Sequence, residues 1–203
     1  MSVFEFRPQG IYCPQGDFYI DPWRPVERAL ITHGHSDHAR YGSKKYLCTE
    51  LAAPVIRHRL GEVKIETIPY EKEININGVR ISFHPAGHVP GSAQILAEIK
   101  GERWVVSGDY KVVYDGLSTP FEPIKCHSFI SECTFGLPAF NWLPQKEIFK
   151  EINNWWLQCN REGVTPVLAA YGLGKAQRLL SGIDNSIGPI PVSYTHLRAH
   201  ETR

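Results

Sequence analysis

A chain of 203 residues, 42% hydrophobic and 21% charged, has room for one sizeable soluble domain, or one domain and part of another. No apolar run approaches the roughly 20 residues a membrane helix needs, and the N-terminal Met-Ser-Val-Phe-Glu-Phe-Arg lacks the long apolar core of a secretory signal. A net charge of +1 does not advertise a nucleic-acid partner. The five cysteines, odd in number and without a C-x-x-C pair, argue against a disulfide framework or a zinc ribbon and for a reducing, cytoplasmic home.

In chain order, Phe18-Tyr19-Ile20 and Ala29-Leu30-Ile31 read as short buried strands separated by a turn at Pro22 and Pro25. Thr49 to Arg59 reads as a helix capped by Thr49, with Gly61 beyond its end. The period then shifts to two. Val63 to Ile68 alternates, and Ile74-Asn75-Ile76 and Val79 to Phe83 flank an Asn77-Gly78 hairpin turn. Gln94 to Ile99, Arg103 to Val106 and Ser128-Phe129-Ile130 follow as strands. Past Pro144 the character changes: Ile148, Phe149, Ile152, Trp155, Trp156 and Cys159 form one helical stripe ending near Gly163. A strand from Pro166 to Ala170 and a helix from Lys175 complete a strand–helix alternation. The expected organisation is an α/β domain over residues 1–139, a second α/β segment over 140–191, and a tail over 192–203.

The densest chemical signal is Leu30-Ile31-Thr32-His33-Gly34-His35-Ser36-Asp37-His38. Three imidazoles and a carboxylate leave the tip of a predicted strand. His33 and His35 point to one side in extended backbone, while Asp37 and His38 address a different point. That arrangement suits two divalent ions better than one, and imidazole with carboxylate favours zinc or a similar ion.

Two further signals join it. His88 lies in a loop between strands, and Asp109 immediately follows the apolar Val105-Val106. His33, His35 and His88 can furnish one metal with three nitrogens. Asp109 can bridge to a second metal beside Asp37 and His38, since a carboxylate offers two oxygens. Asp21 either orients a ligand histidine through its free ring nitrogen or simply turns the chain before Pro22. Gly172-Leu173-Gly174-Lys175-Ala176 fails as a phosphate-binding P-loop, lacking the leading glycine and the hydroxyl residue after lysine. Lys175 and Arg178 either approach substrate phosphates from a helix start or form a solvated basic face.

The series Asp21, His33 to His38, His88 and Asp109 resembles the metallo-β-lactamase superfamily. Ser131-Glu132-Cys133-Thr134-Phe135-Gly136 and Ala169 to Gln177 resemble stretches of the cap in its β-CASP nuclease group. Tyr12-Cys13-Pro14, Phe18 to Pro25 and Thr134 to Pro138 resemble a bacterial exonuclease branch of that group associated with DNA ligases. The resemblance implies the N-terminal portion of an αββα sandwich with a dinuclear, most often zinc, site, followed by the start of an α/β cap. It also implies phosphodiester hydrolysis on DNA in repair, alongside a ligase and a helicase. RNA 3′-end processing and thioester or lactam hydrolysis are the alternatives. Asp37 would ligate one metal and orient hydroxide, and Glu132 would hold a general-acid histidine.

That histidine and a further metal ligand belong to a part of the family pattern past residue 190. The expectation is therefore a C-terminally truncated, poorly stable and inactive chain. Residues 192–203 match nothing in the family, and no ligand role is transferred to His196 or His200.

Overall fold

The computed structural model describes residues 2–192, so residues 193–203, with His196 and His200, lie outside it. The chain falls into two compact units that divide between Glu132 and Cys133. No described helix is long and apolar enough to cross a membrane.

The first unit is built on two sheets. β1 (Glu5–Arg7), β2 (Gly10–Cys13), β3 (Phe18–Ile20), β4 (Arg28–Leu30), β5 (Lys45–Thr49) and β6 (Ile65–Ile68) form one sheet in sequence order. Its first three strands are antiparallel neighbours, and β3 to β6 run parallel. The second sheet holds β7 (Ile74–Ile76), β8 (Val79–Pro85), β9 (Ala93–Ile99), β10 (Glu102–Val106) and β11 (Ser128–Ile130), ordered β11-β10-β9-β8-β7. β11 pairs parallel to β10.

Period-two alternation sorts the side chains into layers. Leu30 and Leu47 face inward, with Phe18, Ile20, Ile81, Phe83 and Ile95, into a core between the sheets. Their neighbours Ala29, Ile31, Tyr46 and Cys48 face the other way, onto Ala53, Ile56 and Leu60 of α1 (Ala53–Leu60). The described residues thus give a helix, a sheet and a sheet in layers, the mixed α/β sandwich expected. On the far side of the second sheet lies the 107–127 segment. Buried Gln94 donates there to the Glu122 carbonyl at 2.8 Å and to the Pro85 carbonyl at 3.0 Å.

Most strand positions agree with the pattern, including the hairpin, where Asn77 (φ 52°) and Gly78 (φ 84°) take the left-handed values of a type I′ turn. The first helix differs. Thr49 ends β5, donates through Oγ1 to the Gly91 carbonyl at 2.6 Å, and accepts from the Ala52 amide at 3.1 Å. Thr49 thus closes β5 and ties it to the loop before β9, and the helix starts at Ala53, with Pro54 in its first turn.

In the second unit, α2 (Gln145–Glu162) closes with Gly163 in the left-handed conformation, and α3 (Lys175–Gly182) follows. Trp156 and Cys159 are buried, whereas Trp155 is 41% exposed. Pro166 to Ala170 pairs with no strand among the described residues, and Val167 is 81% exposed. An extended segment becomes a strand only through a neighbour that accepts its ladder.

Candidate metal centre

All the carboxylates and imidazoles of the candidate site except those on the His33 to His38 loop follow the carboxyl end of a different strand. Asp21 follows β3, His33 leaves β4, His88 follows β8, Asp109 follows β10 and Glu132 follows β11. One edge of the sandwich therefore collects them. The edge is stitched across the sheets: the Ala93 amide donates to the Thr32 carbonyl at 2.8 Å, and the Tyr70 hydroxyl to the Ser92 carbonyl at 2.8 Å.

Asp21 sets the protonation of two histidines. Its positive φ of 43° is one that aspartate tolerates. Its carboxylate accepts from the Thr32 amide at 2.8 Å and the Thr32 hydroxyl at 2.5 Å. The Thr32 hydroxyl has a single proton. Having given it to Asp21, it can only accept from His33 Nδ1, 3.0 Å away. His33 is therefore the Nδ1–H tautomer, with a lone pair on Nε2. His38 Nδ1 donates directly to Asp21 at 2.8 Å, which frees its Nε2 in the same way.

The freed nitrogens converge. His33 Nε2 lies 2.9 Å from His35 Nδ1, and His88 Nε2 3.2 Å from the same atom. Asp109 Oδ2 stands 3.2 Å from His88 Nε2 and 3.8 Å from His33 Nε2. A tetrahedral zinc site with bonds of about 2.0–2.1 Å has edges of about 3.3 Å, in the middle of these separations. Asp109 turns its other oxygen, Oδ1, toward His38 Nε2 at 3.6 Å, and Glu132 Oε1 lies 3.3 Å from that nitrogen. Ligand atoms of His33, His35, His88 and Asp109 form one group able to hold a cation, and those of His38, Asp109 and Glu132 a second. Buried His38 Nε2 has no hydrogen-bond partner among the described residues. An orphaned lone pair facing carboxylates is what a divalent cation would satisfy, so the residues fit a pair of such ions bridged by Asp109.

The electrostatics agree. Burial first, then the charges of His38, His35 and His88, hold His33 well below its ordinary value. Burial also lowers His38, but the Asp21 and Asp109 carboxylates outweigh it and push the group up to about 11. Burial acts to raise Asp109, and the bonds to His38 and His88 overcome it and hold the carboxyl far below the usual range. Burial and the adjacent Asp109 push Glu132 up to about 7. Negative charge is crowded around a single point, which favours positive charge at His38 Nε2, a place that a divalent cation on its lone pair would fill instead of a proton.

Asp37, expected as a ligand, stands 3.7 Å from His38 Nε2 with its side chain 67% exposed and belongs to neither group of ligand atoms. Lys175 and Arg178 belong to the second unit, where Lys175 lies over the Tyr171 ring and Arg178 donates to Gln145 at 2.6 Å. Three supporting residues escaped the sequence reading. Thr32 fixes the His33 tautomer. Ser92 Oγ accepts from the His88 and Val89 amides at 3.1 and 3.2 Å. Arg59 Nε donates to the Gly34 carbonyl at 2.7 Å, between His33 and His35. Only Thr32 had a signal, a hydroxyl directly before the first histidine.

No family model matches the chain. A probable DNA ligase of Opitutus terrae is 31% identical over 199 residues, which is 95% of this chain and 19% of that protein. Cleavage and polyadenylation specificity factor subunit 3 of Dictyostelium discoideum is 30% identical over 60% of this chain and 16% of that protein. An RNase J-like protein of Methanocaldococcus jannaschii is 23% identical over 81% of this chain and 45% of that protein. The chain thus spans between about a sixth and a half of these relatives' lengths. The resemblance to the β-CASP nuclease group of the metallo-β-lactamase superfamily is borne out by these relatives.

Proposed function

We propose that this chain carries the metal-binding portion of a metal-dependent hydrolase of nucleic acid, acting on DNA from an end, in repair, in the cytoplasm. The observation that carries the reading is the convergence of imidazole lone pairs on two adjacent points joined by Asp109. The nuclease-like names among the relatives support nucleic acid as substrate. A stretch similar to nearly the whole chain lies within one polypeptide named a probable DNA ligase, which supports DNA as substrate and a ligase as functional partner, and a helicase is the further partner of this reading. The described cysteines are all free thiols, which supports a reducing compartment. RNA hydrolysis is the second reading, favoured by the ribonuclease-like relative.

His33, His35, His88 and Asp109 would hold one divalent cation, most naturally zinc, and His38, Asp109 and Glu132, with Asp37 beside them, the other. Such a pair, when bound, supplies hydroxide near neutral pH and neutralises the oxygens of a phosphodiester. The chain's own groups do the rest. Asp21 and Thr32 hold the tautomers of His38 and His33. Asp37 orients the attacking water from the exposed side. Glu132, nearly half exposed, would also position the group that returns a proton to the leaving oxygen. Lys175 and Arg178 contact substrate phosphates.

For the 203-residue polypeptide alone we propose little turnover, since its second cation group has one imidazole among the described residues. Cleavage of end-labelled DNA and RNA is therefore assayed with this polypeptide and with any longer product of its gene. Activity lost in His35→Ala and Asp37→Asn, with DNA preferred, is the expected result. Full activity in either variant contradicts the mechanism, and preference for RNA replaces the first reading with the second.

A further inference from the structure

The loops that deliver Asp21 and His38 also carry four exposed side chains that the metal chemistry does not use: Trp23, Arg24, Arg40 and Tyr41. Trp23 is 50% and Tyr41 72% exposed, and both arginines are exposed. Neither arginine makes an ion pair among the described residues, so both charges are open to a ligand. Lys44, on the same loop as Arg40 and Tyr41, is by contrast paired with Glu27.

Arg40 is nevertheless held in place. Its Nε donates to the Asp37 carbonyl at 3.1 Å, and a terminal nitrogen to the Trp23 carbonyl at 3.4 Å. Those bonds use two of the guanidinium's five N–H donors and leave three unspent. The loops beneath are fixed too. The Trp23 amide donates to the Gln9 carbonyl at 2.7 Å, and the Tyr46 hydroxyl to the Arg40 carbonyl at 2.8 Å. The Val26 amide reaches Ser43 Oγ at 3.2 Å, and the Lys44 amide the Val26 carbonyl at 2.9 Å. A guanidinium fixed by the backbone carbonyls of Asp37 and Trp23, without an ion pair, is preorganised for bidentate contact with an anion such as a phosphate. The exposed rings of Trp23, whose carbonyl Arg40 holds, and of Tyr41, the next residue along the chain, offer stacking faces, which only an unpaired base can use.

We propose that Trp23, Arg24, Arg40 and Tyr41 form the recognition rim for single-stranded nucleic acid, with Arg40 gripping the phosphate next to the one cleaved and Trp23 and Tyr41 stacking the flanking bases. Arg24 adds a second charge on the same track. The rim deepens the nuclease reading and rests on it. It commits the site to unpaired ends rather than intact duplex.

Binding without chelatable metal separates recognition from chemistry. The full chain is titrated, in the presence of a chelator, into fluorescein-labelled single-stranded DNA of about 12 nucleotides, the same DNA as a blunt duplex, and a matching RNA strand, with anisotropy as readout. Wild type is expected to bind both single strands more tightly than duplex. Trp23→Ala should weaken single-strand binding on the order of tenfold and leave duplex binding unchanged. Arg40→Lys, which keeps the charge but loses the fork, should also weaken it, and Arg40→Ala should reduce the salt slope by about 1. Arg80→Ala, remote from the rim and paired with Glu98, should bind as wild type. Urea midpoints equal to wild type in Trp23→Ala and Arg40→Lys exclude unfolding as the cause. Wild-type affinity in both of those variants overturns the rim while leaving the nuclease reading standing. Duplex bound as tightly as single strand overturns the stacking role. A wild-type chain that binds no nucleic acid overturns the nuclease reading itself.

Discussion

Asp21 governs two histidines through one carboxylate, one directly and one through the Thr32 hydroxyl. Asp21→Asn keeps the volume but gives up the negative charge facing His38. Affinity for the second cation should fall about 10–100-fold, the usual effect of losing a partner behind a metal-ligating histidine. Isothermal titration with zinc checks this, and unchanged affinity would remove Asp21 from the site. Thr32→Val should act more mildly and on the first cation, because His33 then loses the acceptor that fixes its tautomer. Much of the site was legible at this scale, because ligand residues are chemically conspicuous and their spacing alone set His33 and His35 on one side. Thr32, Ser92 and Arg59 were not, because hydroxyls and arginines that serve backbone or ring atoms look in sequence like any surface residue.

Among the elements, the turn after β10 does the finest positioning. Gly108 takes φ +54°, and a Cβ there would lie 2.4 Å from the Thr32 hydroxyl. Gly108→Ala would combine left-handed strain with a collision against the group that fixes His33. A loss of about 1–3 kcal/mol is expected in urea unfolding, together with weaker metal binding because Asp109 is the next residue. Retention of both would show that the turn has slack. A strand with strict alternation, such as β8, and the Asn77-Gly78 hairpin were legible because period and turn chemistry are local. β5 was hidden: its Tyr46 and Cys48 pack on α1 while Leu47 packs between the sheets. A strand buried on both faces shows no alternation. The expected strand at Pro166 to Ala170 failed for a non-local reason, the lack of a pairing partner among the described residues.

At the scale of the molecule, two cores hold the first unit together, one between the sheets and one beneath α1. Fully buried Phe83 sits in the inter-sheet core, and Phe83→Ala should cost about 3–5 kcal/mol in urea unfolding. The layer order was legible because alternating strands must bury one face, whereas which segment covers the far side of the second sheet was not, since the 107–127 loop has no regular period. Metal should couple to this stability. The candidate site joins segments from both sheets, so a cation at about 100 times its dissociation constant should add about 2.7 kcal/mol, and a chelator should reverse it.

The central claim is that His33, His35, His88 and Asp109 hold one divalent cation and His38, Asp109 and Glu132 another. Equilibrium dialysis against zinc, with metal analysis of the protein, tests it most directly. One tightly held cation that His35→Ala abolishes is expected, with a second, weaker one that His38→Ala removes while leaving the first in place. A chain that takes up no cation, or one whose uptake is unchanged by His35→Ala, would contradict it.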